Sequence, residues 1–156
     1  MPSQGSPKVL TGGCQCGAVR YRLASAPTGS AICHCRMCQK AGGAPFMAFA
    51  GVPQADFRVT RGTLTAFVSS EIAERGFCAS CGTPLTYRGF KSLRVSVTLG
   101  SLDDPNAAPP ESQLGAESQV HWLPGGLSLP AESTGQWLTQ MGLKDAGSKQ
   151  HPDREA

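Results

Sequence analysis

The seven cysteines of this chain are its strongest candidates for metal or thiol chemistry. They form a Cys-x-Cys pair, a six-residue segment with three cysteines, and a Cys-x-x-Cys pair: Cys14, Cys16, Cys33, Cys35, Cys38, Cys78 and Cys81. An odd number of cysteines, in a chain with no visible secretory signal, fits metal or thiol chemistry better than a disulfide framework.

The two cysteine pairs have the spacing of metal ligands. In an extended segment, residues two apart point to the same side, so Cys14 and Cys16 can hold one ion. A Cys-x-x-Cys segment needs a tight turn that aims two sulfurs at one point, about 2.3 Å from a zinc ion. Gly17 and Gly82, directly after the pairs, supply the backbone freedom that such turns need. The two pairs together would make a closed site of four thiolates.

The remaining three cysteines, Cys33, Cys35 and Cys38, can give a second ion three thiolates from one short segment. Such a site keeps its fourth position open, as expected of a catalytic zinc rather than a structural one. The alternative is that a protein side chain completes the site and makes both ions structural. His34 is the nearest candidate, but in an extended segment it faces away from the cysteines on either side.

Two further alternatives involve other residues. His121 and His151 lie far along the chain, in a loop-rich region and near the C-terminus, and we expect neither to be a ligand. Cys78 and Cys81 could instead form a redox dithiol, but no thioredoxin-like βαβ pattern surrounds them.

The composition predicts a mainly β fold. The chain has 156 residues, of which 19 are Gly and 12 are Pro, so little room is left for long helices. Alternating or β-rich patterns predict strands at residues 18–23, 57–60, 64–68 and 93–99, with a hairpin turn at residues 61–63 and a turn at 103–106. Short helices are expected only after Cys38 and at residues 135–141. The expected organisation is a flexible terminus (1–7), a single zinc-binding domain (8–144) and a disordered tail (145–156).

Charge and hydropathy disfavour two classes of partner. The formal charge of +3 counts every thiol as neutral, and seven thiolates with two zinc ions would bring the total to zero. The sequence has no Lys/Arg run, so we expect no nucleic-acid partner. No stretch has the roughly 18 consecutive apolar residues of a membrane span, and we expect a cytoplasmic protein.

The cysteines and their neighbours resemble the family of glutathione-dependent formaldehyde-activating enzymes, which also includes centromere protein V. The resemblance runs through GGCQCGAVRY at 12–21, CHCRMC at 33–38, RGFCASCGT at 75–83 and GSLDDP at 100–105, and covers roughly residues 9–130. It implies an Mss4-like β-tent of folded antiparallel sheets. It also implies a structural zinc on Cys14, Cys16, Cys78 and Cys81 and a catalytic zinc on Cys33, Cys35 and Cys38, two Zn²⁺ per chain.

The resemblance implies a carbon–sulfur lyase that forms or cleaves S-hydroxymethylglutathione or a related adduct, with a glutathione-like thiol and an aldehyde as substrates. Glutathione carries two carboxylates, and Arg36 and Lys40 are the cations nearest the three-cysteine segment. Phe46, Met47 and Phe49 follow that segment and would belong to the core or wall a pocket. The alternative function is a non-catalytic, zinc-stabilised β-tent that binds a protein partner.

The chain departs from the family pattern late in the sequence. Where family members tend to carry Pro-x-x-His-Ile, residues 110–114 read PESQL, so Gln113 replaces a histidine. His121 precedes Trp122 where a proline is common. A change at a pocket histidine would alter the choice of thiol or carbonyl substrate.

Overall fold

The structure is a computed structural model that describes residues 9–155. It contains ten strands: β1 (Leu10–Gly13), β2 (Arg20–Leu23), β3 (Thr28–Cys33), β4 (Met47–Pro53), β5 (Phe57–Arg61), β6 (Thr65–Ser70), β7 (Ala73–Phe77), β8 (Pro84–Gly89), β9 (Arg94–Thr98) and β10 (Ser112–Leu114). Three short α-helices are present: α1 (Arg36–Gly42), α2 (Leu123–Gly126) and α3 (Thr134–Gln140). Three single turns of 3₁₀ helix, at Gln54–Asp56, Leu99–Ser101 and Ala116–Ser118, complete the described elements. The expected flexible terminus, residues 1–7, lies outside the described residues.

The strands form two sheets. The smaller has three antiparallel strands in the order β1-β2-β5, and the larger has seven in the order β10-β3-β4-β9-β8-β7-β6. All pairings in the larger sheet are antiparallel except that of β10 with β3. The prediction of a mainly β, tent-like arrangement of folded antiparallel sheets is therefore confirmed.

One hydrophobic core joins the two sheets. Tyr21 and Leu23 of β2 pack into it from the small sheet, and Val52, Val95 and Val97 enter from the large one. A shared layer of this kind buries the apolar face of each sheet, which neither could bury alone. The Tyr21 hydroxyl lies 2.7 Å from the Ser101 hydroxyl, so the one polar atom of this ring has a partner inside the core.

The predicted hairpin around residues 61–63 was wrong, although both of its segments are strands. β5 pairs with β2 in the small sheet, whereas β6 pairs with β7 at the edge of the large sheet. The chain passes from one sheet to the other at this point. Gly62 has a φ of 70°, and a Cβ there would lie 2.0 Å from the Ala18 carbonyl oxygen, so the residue serves a close approach rather than a hairpin turn.

The other local expectations were closer. Strands lie within 18–23 and 93–99, α1 includes Cys38, and α3 covers most of residues 135–141. Within residues 9–155, no helix is long and apolar enough to span a bilayer. The expectation of a disordered segment from residue 145 stays a prediction. Residues 145–155 contain neither helix nor strand, and the His151 N–H donates to the Gln15 carbonyl oxygen at 2.7 Å.

Candidate metal centres

The first cysteine group is built by two similar turns that follow strand ends. Cys14 follows β1 and Cys78 follows β7. The N–H of Gly17 donates to the Cys14 carbonyl, and the N–H of Gly82 donates to the Cys78 carbonyl. The two glycines have φ values of 77° and 78°, a backbone conformation that side-chain-bearing residues rarely adopt. Each turn thus brings the second cysteine of its pair back toward the first.

The sulfurs of Cys14, Cys16, Cys78 and Cys81 all lie within 4.8 Å of one another. Cys16 Sγ is 3.6 Å from Cys14 Sγ and 3.9 Å from Cys78 Sγ. In a tetrahedral site with metal–sulfur bonds of about 2.3 Å, ligand sulfurs are separated by about 3.8 Å. The donor set and its spacing therefore fit one zinc ion closed by four thiolates.

The second group, Cys33, Cys35 and Cys38, lies where β3 runs into α1, and its sulfurs also lie within 4.8 Å of one another. Cys35 is the N-cap residue of α1, and its Sγ accepts the Cys38 N–H at 3.4 Å. The first turn of the helix thereby brings Cys38 beneath Cys35. Among the described residues, no histidine or carboxylate joins this group.

The segment at residues 114–118, which begins at the end of β10, holds the three-cysteine segment in place. The His34 N–H donates to the Leu114 carbonyl oxygen at 2.9 Å, which continues the β10–β3 pairing past Cys33. The Gln39 amide donates to the carbonyl oxygens of His34 and Ser118, at 2.7 and 2.9 Å. Gly115, with a φ of 62°, lies so close that a Cβ would meet the Cys35 nitrogen at 2.7 Å.

The three cysteines open onto a cavity of about 250 Å³. Its walls are largely apolar, with Ala31, Phe49 and Leu114 on neighbouring strands and Met37 on α1. The Tyr87 ring lies tilted against that of Phe49, with ring centroids 6.3 Å apart. The side chain of Arg75 also lines this cavity, and no other Lys or Arg among the described residues does.

The thiols of this group differ in acidity. Burial raises the pKa of Cys38 to about 12, against the opposing hydrogen bond from Arg75. At Cys35, burial acts to raise the thiol pKa, but hydrogen bonds from the Cys38 N–H and the Cys33 thiol outweigh it, so the pKa is lowered. A bound divalent ion deprotonates thiol ligands outright, so both would be thiolates in a metal-loaded site.

The other predicted site residues lie around the centres. Arg36 bonds to Gln39 along α1 and Lys40 is exposed in its last turn, so neither lines the cavity although Met37 and Cys38 of the same helix do. His34 is 1% exposed and points to Gln113 rather than to the sulfurs. His121 is exposed.

Phe46, Met47 and Phe49, which follow the three-cysteine segment, were expected to belong to the core or to wall a pocket, and both roles occur. Phe46 packs edge-on against His34, with ring centroids 5.9 Å apart, and Met47 is buried. Phe49 lines the cavity.

Two features of the site surroundings were missed by sequence reasoning. Arg20 and Asp103 form a buried ion pair, with Nη1 donating to Oδ1 at 2.8 Å, beside the four-cysteine group. The Arg20 guanidinium holds the pKa of Asp103 below its ordinary value although burial acts to raise it. The second feature is His151, whose ring lies against Gly17. The Asp103–Asp104–Pro105 motif was the available signal for the first, and nothing in the tail sequence indicated the second.

Comparison with known proteins identifies the class to which this fold and these centres belong. The family model described as glutathione-dependent formaldehyde-activating enzyme matches residues 9–118, a span that contains all seven cysteines. The chain therefore belongs to that family.

Individual relatives are more distant. A Halomonas elongata protein, provisionally named as a glutathione-dependent formaldehyde-activating enzyme, is 28% identical over 155 residues, covering 88% of this chain and 99% of that one. An uncharacterised lyase of Schizosaccharomyces pombe is 32% identical over 76 residues, 49% of this chain and 55% of that protein. A crystal structure of a Rhodobacter sphaeroides protein aligns with a TM-score of 0.49 and 26% identity, over 58% of this chain and 85% of that one.

Proposed function

We propose that this protein is a zinc-dependent carbon–sulfur lyase that forms or cleaves S-hydroxymethylglutathione or a related thiol–aldehyde adduct. Cys14, Cys16, Cys78 and Cys81 would hold a structural zinc. The other three cysteines would hold a catalytic zinc. The observation that carries the proposal is that Cys33, Cys35 and Cys38 converge beside a cavity large enough for part of a small-molecule ligand.

The donor chemistry of the three-cysteine group supports zinc and a sulfur ligand. Thiolates are soft ligands that select zinc among the common divalent ions of the cell, and three of them leave a tetrahedral site incomplete. Zinc bound there would supply Lewis acidity and hold a substrate thiol in its nucleophilic, deprotonated form.

The reaction itself needs few protein groups. Addition of a thiol to formaldehyde forms one carbon–sulfur bond and breaks the carbonyl π bond. The π electrons move to the oxygen, which takes up the proton released by the thiol and becomes a hydroxyl. Cleavage is the reverse. The apolar wall of Phe49, Leu114 and Ala31 would exclude water from the small aldehyde, and Arg75 would place a positive charge beside the reacting sulfur.

Recognition of glutathione requires cations farther out. Arg36 and Lys40 remain the predicted partners of its carboxylates, because they lie on the helix whose Met37 and Cys38 line the cavity. Because Arg36 and Lys40 lie outside the cavity, they are better placed to contact the carboxylates at the ends of glutathione than groups close to its sulfur.

The experiment that tests the proposal measures the rate at which glutathione and isotopically labelled formaldehyde exchange with their adduct. The zinc-loaded wild type should raise this rate above the spontaneous one, and Cys35→Ser should abolish the increase. Glu74→Gln, a change at a partly exposed ion pair outside the cavity, is the matched control and should leave the rate unchanged. A full rate in Cys35→Ser, or no increase in the wild type, would contradict the proposal and favour a non-catalytic zinc module.

A further inference from the structure

Arg75 is a buried cation without a carboxylate partner. Its exposure is 8%, and among residues 9–155 no Asp or Glu lies within ion-pair distance of its guanidinium. Charged side chains are almost never buried unless an opposite charge compensates them. The group that Arg75 does reach is the sulfur of Cys38, 3.4 Å from Nη2, which would be a negatively charged thiolate once a metal ion is bound.

The guanidinium is held in one orientation at the cavity wall. Nε donates to the Ser69 hydroxyl at 3.0 Å, and the Tyr87 ring lies beneath the guanidinium carbon with its centroid 5.1 Å away. Within the described part of the chain, the only partner of Nη1 is the thioether sulfur of Met47, 3.9 Å away, which is a weak acceptor. The cation is therefore fixed beside the cysteine group and retains donor capacity on its Nη1 side.

We infer that Arg75 selects anionic sulfur ligands for the cavity beside Cys33, Cys35 and Cys38, by compensating the negative charge that such a ligand adds. The inference rests on the proposed function. Three thiolates around a divalent ion carry one net negative charge, and a bound thiolate would raise it to two inside a largely apolar cavity. The fixed charge of Arg75 offsets that second charge, whereas a neutral ligand would gain nothing from it.

The position of Arg75 also separates its role from that of Arg36 and Lys40. A group that contacts a ligand cysteine lies close to the sulfur of the substrate, not to the distant carboxylates of a tripeptide. The selection should therefore extend to any thiol small enough to enter, whether or not it carries carboxylates. A simple alcohol thiol such as 2-mercaptoethanol is a direct probe of this point.

The test compares ligand affinities of the metal-loaded protein by calorimetry, with glutathione, 2-mercaptoethanol and the neutral ligand imidazole as probes. Arg75→Gln removes the charge while keeping a polar group that can bond to Ser69, and Arg75→Lys keeps the charge. Arg88→Met is the matched control, because Arg88 lies on the adjacent strand in a partly exposed ion pair with Glu74. Thermal unfolding and metal content are measured for every variant, and cobalt-loaded samples report thiolate binding by their sulfur-to-metal absorption.

Arg75→Gln should weaken both thiols by about 10- to 100-fold, the usual effect of altering a group that contacts a metal ligand, and leave imidazole affinity unchanged. Arg75→Lys should restore most of the thiol affinity, and Arg88→Met should behave as the wild type. Equal thiol affinity in Arg75→Gln and wild type, or an equal loss for thiols and imidazole, would overturn the inference while leaving the proposed function standing.

If the wild type itself binds no thiol, the proposed function fails, and this inference fails with it. If Arg75→Gln does not fold, Arg75→Lys decides: loss of thiol affinity in that folded variant contradicts a role based on charge.

Discussion

His34 Nε2 and Gln113 Oε1 lie 2.8 Å apart, and this contact joins the three-cysteine segment to the last strand of the large sheet. An amide oxygen only accepts, so in this contact Nε2 of the imidazole is the donor. The other ring nitrogen, Nδ1, is buried and has no hydrogen-bond partner among the described residues. Gln113, the residue that departs from the family pattern, therefore provides the one hydrogen bond that this ring makes within residues 9–155.

Gln113→Ala should destabilise the protein by about 1 kcal/mol, because it leaves a buried imidazole without its partner. Since His34 lies between Cys33 and Cys35, we also expect weaker zinc retention at the three-cysteine site. Denaturant unfolding and competition with a zinc chelator measure the two effects. Gln119→Ala is the control, because Gln119 is a residue of the same type that follows β10 and takes no part in the His34–Gln113 contact. Equal behaviour of the two variants would show that the His34–Gln113 contact contributes nothing.

Asp103→Asn should lower the free energy of unfolding by about 3 kcal/mol. The change leaves the buried Arg20 guanidinium without its counter-charge, and breaking a buried pair from one side is costly. The same change at the more exposed Arg88–Glu74 pair, Glu74→Gln, should cost less than about 1 kcal/mol. Similar losses in the two variants would contradict the buried role assigned to Asp103.

The same ion pair predicts a pH dependence. Because the pKa of Asp103 is lowered in the folded protein, its contribution is complete above the ordinary carboxyl value and is lost as the pH falls through the lower folded value. The stability difference between wild type and Asp103→Asn should stay constant from pH 7 to about pH 5 and shrink only below about pH 4. Unfolding curves of both proteins in the same metal state measure it. A difference that already disappears at pH 6 would contradict the lowered pKa.

The two cysteine groups should respond differently to substitution. Cys35→Ser should remove one zinc ion with a modest loss of stability, whereas Cys14→Ser should prevent stable folding, because structural zinc contributes folding free energy directly. Elemental analysis and circular dichroism follow the two properties. A folded Cys14→Ser protein that retains both ions would show that the four-cysteine site is not structural.

Gly17 and Gly82 provide a matched test of the C-terminal segment. Both have φ near 78°, so replacement by Ala strains the backbone equally, by about 1 kcal/mol. A Cβ at Gly17 would also lie 2.3 Å from the His151 ring, whereas a Cβ at Gly82 meets nothing within 4 Å. Gly17→Ala should therefore be the more destabilising, and His151→Ala should remove the excess. Equal effects in the two Gly→Ala variants would support the disordered tail expected from the sequence.

The sequence was informative where the determining interactions are local. Cys-x-Cys and Cys-x-x-Cys spacing predicted how the seven cysteines group in space, because each pair is brought together by its own turn. The pairing partners of β5 and β6 lie far away in the sequence or in another sheet. The glycine between the two strands predicted a hairpin, which they do not form. Arg75 reaches Cys38 across 37 positions and Arg20 reaches Asp103 across 83, so neither partnership leaves a pattern in a single sequence.

The proposed reaction requires that the three-cysteine centre keeps a position for a substrate thiol. Anomalous diffraction at the zinc edge, on crystals with and without glutathione, would reveal whether it does. We expect two zinc ions, with glutathione sulfur joining only the one held by Cys33, Cys35 and Cys38. A zinc ion there that is already closed by a protein side chain, and unchanged by glutathione, would contradict it.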